Sequence, residues 1–127
     1  MGKLRHIAVS TPDLDTSAKF YEQVFEMKIM SRQDHAVRMS DGVVNLTLLK
    51  FKSDEHAGDE RGKDFCGWHH VGFIVDDIDE ASRKIEEHGG KLHKDMPSGR
   101  PGSHFERKFR DPLGLVFDIS NEWEGTS

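Results

Sequence analysis

Two stretches of the chain begin alike, each on a histidine, and this internal repeat constrains the fold more than any other feature. The first reads H-I-A-V-S-T-P-D-L-D from His6, the second H-V-G-F-I-V-D-D-I-D from His70. They align without a gap. Asp13, Leu14 and Asp15 fall on Asp77, Ile78 and Asp79 with the same 64-residue offset that separates the histidines. A repeat sets the architecture before any single residue is weighed. Two modules related by a pseudo-twofold would present their histidines symmetrically across one cleft, a start on a metal site.

The elements repeat as well. Leu4 to Ser10 alternates as a short strand, and Pro12-Asp13-Leu14-Asp15 supplies a proline stop and two candidate N-caps. Ala18, Phe20, Tyr21, Val24 and Phe25 recur at helical spacing within 16–25. Strands follow at 28–33, 36–39 and 43–49, with Asp41-Gly42 as the turn before the last. In the second module a strand over 68–75 leads to a helix capped by Asp76 or Asp77 and ending near His88 at Gly89-Gly90. Strands at 91–96, 104–110 and 115–120 are separated by a loop at 97–102 and a turn at Asp111-Pro112-Leu113-Gly114. The reading is one α+β domain over 1–127 built from two paired βαβββ modules, at about 4–50 and 68–121, joined by a polar linker at 51–67. Each mixed sheet gives one face to its helix and keeps the other free.

Strand parity then sorts the side chains. Leu115, Phe117 and Ile119 share the helix-facing side of the last strand, so Asp118 points the opposite way with Val116 and Ser120. Val44, Leu46 and Leu48 are the corresponding set in the first module, which leaves Asn45 and Thr47 on the free face. Asn45 is thus the repeat partner of Asp118, as His6 is of His70, and all four can converge. Two histidines and one carboxylate with open positions form the facial triad typical of mononuclear iron, and also suit zinc, manganese, cobalt or nickel. Asn45 offers a further neutral oxygen. Any one histidine is more often a surface or hydrogen-bonded residue than a ligand; symmetric recurrence is what lifts His6, His70 and Asp118.

Bulk properties exclude several classes. One domain of 127 residues can bury a real core. A net charge of −5 and an acidic pI argue against nucleic acid and anionic membranes as partners. No apolar run approaches the roughly 20 residues of a membrane span, and the first strand begins too early for a signal peptide. Cys66 is the single cysteine, so a reducing cytoplasm is the expected location. His69 is expected on the opposite strand face from His70, and His35, His56, His88 and His93 at the surface. Trp68 and Trp123 are expected to pack, with the cavity mouth or a dimer contact as the alternatives, and the scattered methionines read as core or lining.

At this point the chain resembles the vicinal oxygen chelate superfamily, the glyoxalase, bleomycin-resistance and extradiol-dioxygenase family. The residues that carry the resemblance are R-H-I-A-V-S-T-P-D-L-D at 5–15, F-Y-E-Q-V-F-E-M at 20–27, H-H-V-G-F-I-V-D-D-I-D at 69–79 and D-P-L-G-L-V-F-D-I at 111–119. The last is similar to the family's D-P-x-G-x-x-x-E-x ending, with Asp118 where Glu is usual. The resemblance implies sheets curled around a divalent metal held by His6, His70 and Asp118, commonly in a homodimer. It also implies a small-molecule substrate bound through two adjacent oxygens, with the metal as Lewis acid.

Departures separate the family's reactions. Glyoxalase I places a second carboxylate where this chain has Asn45, and an amide cannot be a proton-transfer base. Asp118, or a neighbour such as Glu106 or His104, would take that work. Extradiol dioxygenases share the triad but use a tyrosine shortly before the carboxylate, where this chain has Asp111, Pro112 and Leu113. Fosfomycin-resistance enzymes add an anion pocket, for which Ser98, Arg100 and Ser103 are loop candidates. A glyoxalase-like isomerase or lyase is therefore the leading expectation. An iron dioxygenase and a non-catalytic antibiotic-binding protein are the alternatives.

Overall fold

The computed structural model describes residues 2–57, 61–96 and 105–127. Its elements are β1 (Lys3–Ser10), α1 (Leu14–Phe25), β2 (Lys28–Gln33), β3 (Ala36–Ser40), β4 (Asn45–Leu49), α2 (Asp54–Ala57), β5 (Gly67–Ile74), α3 (Ile78–Glu87), β6 (Lys91–Met96), β7 (Glu106–Arg110) and β8 (Val116–Ser120). This is the expected α+β order, βαβββ twice. The stretch read as linker also contains the short α2, which Ser53 caps by accepting from His56 N–H at 3.0 Å. The loop expected at 97–102 and the strand start expected at His104 lie outside the described residues.

Two compact units divide the chain, His6–His69 with Glu124–Ser127, and Met1–Arg5 with His70–Trp123. In the first, the strands lie in the order β2-β3-β4-β1. From His6 onward β1 runs parallel to β4, with His6 opposite Asn45, and β3 is antiparallel to β2 and β4. The second unit repeats the plan as β5-β8-β7-β6, with β5 parallel to β8 and the other pairs antiparallel.

The two helices start on equivalent residues. Asp13 accepts from Thr16 N–H and Asp77 from Glu80 N–H, both at 3.0 Å, so each satisfies one orphan donor of its first turn. Leu14, Ala18 and Tyr21 then fall on one side of α1 at helical spacing and meet Val37, Met39, Leu46 and Leu48 of the sheet. The rest of the apolar set, Phe20, Val24 and Phe25, stays exposed. Gly89 ends α3 in the left-handed region (φ 94°), as its sequence predicts; α1 ends on Glu26, which holds φ 58° without being glycine.

The helix-facing side of the second unit is built from aromatics. Phe109 and Ile119 are fully or almost fully buried, and Phe117 stacks on Phe109 at 6.0 Å and meets Phe73 edge-on at 5.9 Å. Leu115, expected in this set, is exposed instead, because β8 begins one residue later, at Val116. Under α3 a cavity of about 370 Å³ remains, lined by Phe73, Val75, Ala81, Ile85, Phe117 and Ile119 among others. Trp123 is buried, whereas Trp68, expected to pack, is largely exposed. Met39 is core, while Met30 and Met96 are exposed.

Candidate metal centre

In each unit the first strand's histidine reaches the polar residue read as its partner, but the registers differ: His6 lies opposite Asn45, whereas Asp118 lies opposite Gly72, two residues beyond His70. In the first, the parallel register sets His6 beside Asn45, and both are buried. His6 Nδ1 lies 2.8 Å from Asn45 Oδ1, which also accepts from Thr47 Oγ1 at 2.7 Å. Asn45 Nδ2 donates to the Glu124 carbonyl at 3.1 Å. A carbonyl can only accept, so Glu124 fixes which way the amide faces. Oδ1 must then be the acceptor for the ring. Nδ1 donates, and a neutral His6 carries its lone pair on Nε2, the tautomer of a metal ligand.

The second unit pairs its histidine with a carboxylate instead of an amide. His70 and Asp118 share the face opposite Phe117 and Ile119, and His70 Nε2 stands 3.0 Å from Asp118 Oδ2. That is an ion-pair distance, yet Oδ2 is buried and the alignment is not that of a hydrogen bond. The other carboxylate oxygen is committed. Lys108, directly across the ladder from Asp118, donates from Nζ to Oδ1 at 2.6 Å, and the two side chains are 6% and 1% exposed. Burial pushes the Asp118 carboxyl up, but the adjoining His70 and Lys108 outweigh it and hold the acid well below the usual carboxylate range.

Lys108 is the residue that sequence reasoning missed. In E-R-K-F-R it reads as one more solvated charge. The signal that finds it is parity. Phe109 faces the helix, so Lys108 must take the free face, where the antiparallel register delivers it to Asp118. Glu106 is two residues earlier on β7 and shares that face. His104, Ser98, Arg100 and Ser103 lie outside the described residues. His69 turns to Phe51, with ring centroids 5.2 Å apart, away from His70 as expected. Of the histidines expected at the surface, His56 and His88 are exposed, while His35 and His93 are half-buried. Cys66 is exposed and unpaired with any other cysteine.

The donors fit a divalent ion. Nitrogen and oxygen ligands bonded at about 2.0–2.2 Å to one ion stand roughly 2.9–3.4 Å apart. The His70–Asp118 separation falls in that span, and the carboxylate oxygen concerned is the buried one without a hydrogen-bond donor. Lys108 works against a cation, since its ammonium already offsets the Asp118 charge.

Repeat and strand order together define a fold of two βαβββ modules. The chain belongs to the Glyoxalase/Bleomycin resistance protein/Dioxygenase superfamily, whose model matches residues 3–119. Among relatives, it is similar to a lactoylglutathione lyase of Schizosaccharomyces pombe, at 27% identity over 77% of this chain and 41% of that protein. It thus spans about two fifths of that lyase's length. It is also 27% identical to an ethylmalonyl-CoA/methylmalonyl-CoA epimerase of Cereibacter sphaeroides, over 82% of this chain and 83% of that one. A Streptomyces coelicolor methylmalonyl-CoA epimerase variant, solved in complex with 2-nitronate-propionyl-CoA, has the same fold (TM-score 0.72, 18% identity, 92% of this chain and 94% of that one). No described helix is long and apolar enough to cross a membrane.

Proposed function

We propose that this protein is a metal-dependent isomerase or lyase of the vicinal oxygen chelate class. His6, His70 and Asp118 would hold a divalent ion, and Glu106 would carry the proton. The observation that supports this most is the His70–Asp118 pair, a buried nitrogen and carboxylate oxygen 3.0 Å apart without hydrogen-bond alignment. A bound ion would supply Lewis acidity toward two adjacent oxygens of a small substrate. The chain's own residues supply the rest. Asn45 keeps His6 in its ligand tautomer, and Lys108 keeps Asp118 ionised. Of the two carboxylates read as proton carriers, Asp118 is engaged by Lys108 through Oδ1 and would be engaged by the ion through Oδ2, which leaves the transfer to Glu106.

Of the two reactions named by its relatives, the epimerase type is the better supported. The match spans 83% of the epimerase and 41% of the lyase. Asn45 adds to this, since its amide oxygen serves His6 and Thr47 and offers no carboxylate in the place where glyoxalase I has one. The substrate class would be a small acyl thioester bearing a second carbonyl. The same reading takes the protein as a cytoplasmic homodimer. The exposed Phe20, Val24 and Phe25 of α1 supply apolar surface for a symmetric contact.

Metal analysis of protein purified without chelator or nickel resin, followed by proton NMR of methylmalonyl-CoA in deuterated buffer, tests the reading. We expect about one divalent ion per chain and solvent deuterium entering the substrate's carbon acid. Iron with ring-cleaving activity would move the assignment to the dioxygenases. No ion under any loading condition would leave a binding protein.

A further inference from the structure

Asn45 and Asp118, read as repeat partners in the sequence, face different side chains across their ladders. In the first unit the residue across the ladder from Asn45 is Ser40, a neutral side chain that donates to the Gly125 carbonyl. In the second unit a buried ammonium stands across from Asp118; by register its place answers to Arg38, opposite Thr47, whose guanidinium donates to Gln33 instead.

We propose that Lys108 determines what this site accepts, so that a divalent ion binds together with an anionic oxygen ligand rather than alone. The inference rests on His6, His70 and Asp118 being the ligands. Lys108 and Asp118 cancel formally, and two imidazoles that coordinate as neutral groups add nothing. A divalent ion would therefore leave a surplus of two positive charges on the ion, Lys108 and Asp118, where Asp118 without its lysine would leave one; the Glu106 carboxylate on the same face lowers both counts by one and leaves the difference unchanged. Surplus charge in a dry cluster opposes a cation and favours an anion. Lys108 also occupies Asp118 Oδ1 at 2.6 Å, so one carboxylate oxygen, Oδ2, is left for the ion. The ligand class that answers both conditions is a small carboxylate or enolate-forming acid with two adjacent oxygens and at least one negative charge. Coupling of this kind is reciprocal, so the ion should tighten the anion by the same factor as the anion tightens the ion.

The test is calorimetric titration of the full chain with Mn²⁺, with and without saturating glycolate, a chelating anion that binds the free ion weakly. For the unaltered protein we expect glycolate to tighten Mn²⁺ by about tenfold or more, within the usual range of coupling factors. Lys108→Met should bind Mn²⁺ about tenfold more tightly than the unaltered protein in the absence of glycolate, and its glycolate coupling should fall below about threefold. Lys108→Arg should keep the original behaviour. If Lys108→Met leaves Asp118 too poorly paired to fold, Lys108→Gln carries the same expectation, read as a larger rise in Tm on adding Mn²⁺. Should the neutral variants match the unaltered protein in affinity and coupling while Asp118→Ala still loses the ion, Lys108 is structural only and the metal assignment stands. Should no variant, nor the unaltered protein, bind Mn²⁺, both inferences fall.

Discussion

Asn45 and Asp118 each face the histidine of their own module and make opposite demands on their neighbours. Asn45 is neutral and satisfied by hydrogen bonds, two into Oδ1 and one out of Nδ2. Replacing it by alanine would strand the Glu124 carbonyl and leave His6 without its tautomer-fixing acceptor. We expect Asn45→Ala to lower stability by about 1–3 kcal/mol. It should retain the ion at saturation with roughly 10–100-fold weaker affinity, read by thermal melts and metal titration. Asp118→Ala should abolish binding, since two neutral imidazoles remain. The turn residue Asp41 gives a pH signature. Its carboxylate accepts from Val44 N–H at 2.7 Å and Val43 N–H at 2.9 Å, which holds it below the usual carboxylate range. A depressed acid stabilises above its unfolded value of about 3.9 and loses that contribution as pH falls through its folded value. Asp41→Ala should therefore melt roughly 2–5 °C lower at pH 7, with the gap closing toward pH 3. The pairing of His6 with Asn45, and of His70 with Asp118, was legible from strand parity alone. Lys108 was not, because a lysine in a charged strand looks solvated until the neighbouring strand's register is known.

At the level of elements, α1 and α3 begin alike and end differently. Their aspartate caps were visible in the sequence because an N-cap is a local device. What each helix covers was less visible, since burial depends on the partner strands. Leu115 and Trp68 show this: both read as packing residues, and both ended exposed once their strands were placed. The short α2 was hidden because its four residues carry no periodicity that a window can detect. The end of α3 invites a direct test. A Cβ at Gly90 would overlap Ile85 Cγ2 and come within 3.0 Å of the Ile85 carbonyl and 3.2 Å of the Arg110 carbonyl. Ile85 is β-branched, so its Cγ2 has little freedom to retreat. We expect Gly90→Ala to cost about 1–3 kcal/mol in chemical denaturation. Gly114→Ala is the control for added bulk: its Cβ would meet nothing within 4 Å, and only its φ of 94° is unfavourable.

For the whole molecule, the internal repeat carried most of the information. Two aligned histidine strands predicted βαβββ twice, and the strand order of each unit follows that plan. The apolar positions of α1 left outside the core, Phe20, Val24 and Phe25, are the reason to expect a homodimer. Light scattering should report about twice the 14.5 kDa of one chain. Phe20→Glu combined with Phe25→Glu should shift it to the monomer, and a single-chain mass for the unaltered protein would end the homodimer reading. The last four residues have a practical consequence. They belong with the first unit, where the Glu124 carbonyl receives Asn45, the Gly125 carbonyl receives Ser40 Oγ at 2.6 Å, and Ser127 N–H reaches the Val43 carbonyl at 3.4 Å. A stop codon after Trp123, or a bulky affinity tag fused close behind it, would leave every proposed ligand in the gene. It would still remove the carbonyl that orients the amide facing His6, so the cloning of the tail sets the hydrogen on an imidazole at the other end of the chain.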